Sequence, residues 1–87
     1  MWTDDDPMPF LRVTIGARVF SADFELLGEV KALHAQWFKV GTGFLQRDYW
    51  LPSQLVLEAV PEELLVLTVT EADVDGYKLY QEPRQAA

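Results

Sequence analysis

The sequence predicts a mainly all-β fold: a small antiparallel barrel or sandwich of five to six strands, with a short helical or irregular segment at the C-terminus. Three observations carry this reading. Apolar and β-branched runs are short and recur at roughly ten-residue spacing, the rhythm of strands joined by turns. Gly, Pro, Asp and Ser punctuate the gaps between them. At 87 residues, 49% of them hydrophobic, the chain can build one core and only one.

The elements follow in order. Residues 1–11 read as a lead-in, because Asp4, Asp5 and Asp6 repel one another and Pro7 and Pro9 forbid regular structure. A single domain is expected over residues 12–82, followed by a tail over 83–87. VTIGARVFS is rich in β-branched residues and reads as a strand bent at Gly16. SADF makes a turn, and ELLGEVKAL is a second strand in which Gly28 marks a close backbone approach. WFKV and RDYWLP are short aromatic strands on either side of GTGFL. QLVLEAV and ELLVLTV complete the set, with Pro61 suited to the second position of the turn between them.

The aromatic hairpin carries the candidate site. Setting Trp37 opposite Trp50 places Phe38 against Tyr49 and Lys39 against Asp48. Side chains alternate faces, so Phe38, Val40, Tyr49 and Leu51 fall on one side and Trp37, Lys39, Asp48 and Trp50 on the other. Aromatic and opposite-charge pairs across strands contribute roughly 0.2–1 kcal/mol each, which favours this register over a one-residue slip. Trp37 and Trp50, with Phe44 and Leu45 at the loop, form the candidate interface, since Trp is enriched where proteins meet. The opposite outcome stays open: Val74, Tyr77, Leu79 and Tyr80 also need somewhere to pack and could cover the patch.

The order ARVFSADFELLGEVKAL, WFKV, FLQRDYWLPSQL, LLVLTVTEADV resembles a small free-standing PRC-barrel-like domain of an uncharacterised bacterial family, over about residues 12–75. LLGEV, YWLP and the last strand running into TEADV carry the likeness. One departure is clear. Such domains usually turn with Asp-Gly where this chain has Asp23-Phe24, and Phe tolerates positive φ badly. The resemblance implies a β-barrel that serves as a docking module, as in a ribosome maturation factor and the photosynthetic reaction-centre H subunit. It implies no chemistry.

Composition narrows the partners. Fourteen acids against seven Lys and Arg give a net charge of −7, which disfavours nucleic acid and anionic membrane surfaces. The N-terminal residues are acidic where a signal peptide is basic, and no apolar run spans a bilayer, so a cytoplasmic protein is expected. With no cysteine there is neither a disulfide nor a thiolate metal site.

One stretch imitates a metal site. EADVDGYKLYQE, Glu71 to Glu82, has the acid and Gly spacing of an EF-hand calcium loop. Yet a β-branched strand tail precedes it where a helix is needed, and its first position is Glu instead of Asp. Thr70-Glu71-Ala72-Asp73 instead has the form of a helix N-terminus. No cofactor is therefore expected. His34 reads as a partly exposed strand-end histidine, and Ser21 and Ser53 sit in no nucleophile setting. An enzyme is not expected. The sequence points to a protein-interaction module that associates with itself, a dimer by expectation, or with a protein partner. The alternative is a sensory domain that binds a small ligand or metal.

Overall fold

A computed structural model describes residues 13–43 and 47–83. Six strands form one sheet: β1 (Arg18–Phe20), β2 (Leu26–His34), β3 (Trp37–Gly41), β4 (Tyr49–Pro52), β5 (Val56–Val60) and β6 (Leu64–Leu67). Their order across the sheet is β4-β3-β2-β1-β6-β5. A single helical turn, α1 (Glu71–Val74), follows β6.

The fold is mainly β, as the strand rhythm predicts, but the expected all-antiparallel barrel is corrected in two respects. The sheet is mixed, because β1 and β6 run parallel. Among the described residues its ladder also does not close, leaving β4 and β5 at the two ends of the order. The parallel pair joins the first strand to the last, so no local turn announces it.

The register shifts at Val19/Phe20, Val30/Ala32 and Val56/Glu58 bend the sheet around its core. That core holds Val19, Val30, Phe38, Val40, Leu51, Leu65 and Leu67, with Val74 of α1 closing over it. Gly28 lies where β2 and β3 approach closely. A Cβ there would fall 2.2 Å from the Gly41 carbonyl oxygen, which is the close approach expected of this glycine. The run around Gly16 differs from expectation. It holds a turn at Ile15–Gly16 and a strand of only three residues after it.

The β3–β4 hairpin keeps the expected faces and changes its register. Phe38, Val40, Tyr49 and Leu51 are all buried on one side. The pairs are Trp37↔Pro52, Phe38↔Leu51, Lys39↔Trp50 and Val40↔Tyr49, a two-residue slide from Trp37 opposite Trp50. A slide of two preserves every facing, so the apolar pattern cannot detect it. The Asp48 carboxylate, instead of facing Lys39, accepts the Thr42 amide at 3.3 Å.

The β5–β6 turn forms with Pro61 in its second position. The Glu63 amide donates to the Val60 carbonyl at 3.0 Å, and Glu62 takes φ 69, which makes the turn type II.

Candidate docking surface

The turn between β1 and β2 is built by Ser21. The Phe24 amide donates to the Ser21 carbonyl at 2.9 Å, and the Ser21 amide donates to the Glu25 carbonyl at 3.0 Å. Ala22, Asp23 and Phe24 thus form a short hairpin loop whose last residue, Phe24, has φ 64. That left-handed position usually goes to Gly. The loop therefore places Phe at a position whose backbone favours Gly.

Asp23 clasps this turn to α1. Its Oδ1 accepts the buried Ser21 hydroxyl and also the Glu71 amide, the latter at 3.1 Å. The Ser21 hydroxyl foremost, and the Glu71 amide after it, hold the Asp23 carboxyl below its ordinary value of 3.8. A carboxyl lowered on folding stabilises the fold above its unfolded value, and that contribution disappears as pH falls through the folded value. Asp23→Asn is accordingly expected to be less stable than wild type at neutral pH. The two stability curves should converge below pH 3.8 in an acid titration followed by circular dichroism. Parallel curves throughout would mean that Asp23 holds nothing.

The same turn presents apolar surface. Phe24 is 73% exposed and Leu26 is 58% exposed. Leu26 stands on the rim of two clefts. One, of about 470 Å³, has Leu27, Tyr49, Ala72, Val74 and Lys78 in its walls. The other, of about 560 Å³, passes Gly28, Lys31, Gly41 and Asp48. In the first cleft, burial foremost, and then the neighbouring Tyr80, Asp75 and Glu71, push the Tyr49 hydroxyl up to about 12. It is a neutral phenol through the ordinary pH range.

The residues singled out from the sequence are placed differently. Trp37 is half-buried at the start of β3. Trp50 is 6% exposed and bridges Leu79 through its backbone, with the Lys39 ammonium 6.0 Å from its ring centroid and the His34 ring 6.1 Å away. Trp50 is therefore buried and offers little free surface. Phe44 and Leu45 lie outside the described residues. Phe24 and Leu26 were not singled out as contact residues. The available signal was the Asp23-Phe24 departure, a large aromatic where the turn calls for Gly.

The segment that imitates a calcium loop folds otherwise. The Thr70 hydroxyl accepts the Asp73 amide at 3.3 Å and caps α1, as the Thr-x-x-acid form predicts. The rest is a 3₁₀ turn at Asp75–Tyr77 and a single bridge at Leu79, with β6 before it in place of a helix. Among the described residues, no three His, Asp or Glu side chains converge as a metal set. The Ser53 hydroxyl donates to the Gln36 carbonyl, and His34 closes β2 half-buried. No helix among the described residues is long and apolar enough to cross a membrane.

Compared with known proteins, the chain matches no family model, no curated protein and no solved structure.

Proposed function

We propose that this chain is a non-enzymatic protein-docking module, PRC-barrel-like in kind, that associates with a second copy of itself through the surface around Phe24 and Leu26. One observation carries the reading: Phe24 is held in a left-handed backbone conformation while its ring faces solvent. That conformation costs an L-residue roughly 1–2 kcal/mol, and an exposed ring recovers little of it by packing within the chain. A strained aromatic that the fold does not use points to a contact outside the chain. Leu26, two residues on, widens the apolar surface.

Phe24→Gly separates docking from folding. The substitution relieves the strain but gives back part of the gain as chain entropy, so it should raise stability by about 0.5–1 kcal/mol. For a domain of this size that is a rise of roughly 2–8 °C in Tm. Self-association should weaken about tenfold or more, as for an aromatic anchor at an interface, read by light scattering over a concentration series. A variant that is more stable and associates as well as wild type would remove this surface from the proposal.

A further inference from the structure

Strand β4 lies at one end of the sheet, where an edge offers free amides and carbonyls to any extended chain. Here the chain's own C-terminal segment takes that edge, and it does so through a single bridge. The Trp50 amide donates to the Leu79 carbonyl at 2.7 Å, and the Leu79 amide donates to the Trp50 carbonyl at 3.1 Å. The remaining hold comes from side chains. The Lys78 ammonium stands 4.5 Å from the Tyr49 ring centroid, and the Arg47 guanidinium 4.6 Å from that of Tyr80. Tyr80 meets Tyr49 edge-on at 6.3 Å, and the Glu82 carboxylate lies 3.3 Å from His34 Nδ1.

The segment is held lightly at its centre, while Pro83 at its end is buried. Leu79 and Tyr80 stay exposed although the segment pairs with β4. Val74, fully buried, anchors the chain just before it, and the exposed turn Asp75–Tyr77 links the two. Opening at that turn would free the β4 edge and Trp50 without moving any strand of the sheet.

We infer that β4 is a peptide-docking edge, held closed by residues 78–82, and that its occupant in trans is an extended segment of another protein. The segment seated there in cis states the chemistry that fits. It runs antiparallel to β4 and carries a cation, an apolar residue, an aromatic residue and, two residues later, a carboxylate. Arg47 and His34 complement the last two, and main-chain pairing with Trp50 supplies the rest, as in recognition by strand addition. The tethered segment competes at an effective concentration in the millimolar range, so the edge is autoinhibited until the segment is displaced. This docking does not depend on the Phe24 contact.

The test uses the full-length chain and a synthetic peptide of residues 77–83, YKLYQEP. Leu79→Pro removes the amide that donates to Trp50 and should detach the segment. In ¹⁵N spectra the peptide is expected to shift the Trp50 amide of this variant and to bind it about tenfold or more tighter than it binds wild type. A peptide of scrambled order should do neither. A folded Leu79→Pro chain whose Trp50 amide ignores the peptide would overturn the inference. Tyr80→Ser, which loosens the segment without altering its backbone, should give the same gain if Leu79→Pro does not fold. In wild type, hydrogen exchange at Trp50 and Leu79 should run about a hundredfold or more faster than at Val30 in the sheet interior. Equal rates would mean that the segment opens only with the whole fold, and the inference fails. Self-association is read separately through Phe24→Gly, so either idea can fail while the other stands.

Discussion

Gly28→Ala is expected to cost about 3 kcal/mol or more, a large share of a total stability of order 5–15 kcal/mol. The cause is local and rigid. The new methyl would sit 2.2 Å from the Gly41 carbonyl oxygen and 2.9 Å from Val40 Cγ1. The first of these is backbone, which no rotamer change can move. Relief requires β2 and β3 to separate where Val30 pairs with Val40, beneath a core that excludes water. A urea titration reads the loss as a lower midpoint. Gly76→Ala is the control, since a Cβ there meets nothing within 4 Å, and it should stay within about 0.5 kcal/mol of wild type. Equal midpoints for the two variants would contradict the described crossing of β2 and β3.

Trp50→Ala should cost about 3 kcal/mol, the lower end of the range for deleting a large buried aromatic. The residue is nearly inaccessible, with the Lys39 ammonium 6.0 Å and the His34 ring 6.1 Å from its ring centroid. Its removal leaves a void and also takes away the surface on which the C-terminal segment rests. The variant should therefore show a lower urea midpoint together with faster hydrogen exchange at Leu79. A Trp50→Ala chain of unchanged stability but weakened association would restore Trp50 to the interface that the hairpin alone implies.

Much of the local structure could be read from residue types. The Thr70 cap, the Pro61 turn, the buried face of the β3–β4 hairpin and the tight approach at Gly28 each follow from one or two side chains with strong backbone or solvent preferences. What escaped was set by distant parts of the chain. The parallel pairing of β1 with β6 joins strands more than forty residues apart, as the pairing Arg18↔Leu64 shows. The hairpin register was invisible for another reason, because a two-residue slide leaves each side chain on its face. The ladder itself, with Phe38 opposite Leu51 and Lys39 opposite Trp50, sets it. The candidate site was legible in part. Trp37 and Trp50 do share one side of the hairpin, but whether that side is free depends on where Leu79 packs. Phe24 stood in plain view as an anomaly, and its exposure and positive φ turn that anomaly into a candidate contact.

Self-association is the central claim, and native mass spectrometry of the wild-type chain tests it most directly. Across a concentration series the expected spectrum shows a species of twice the chain mass, with nothing added, growing at the expense of the single chain. A spectrum holding only the single chain at every concentration would contradict the claim.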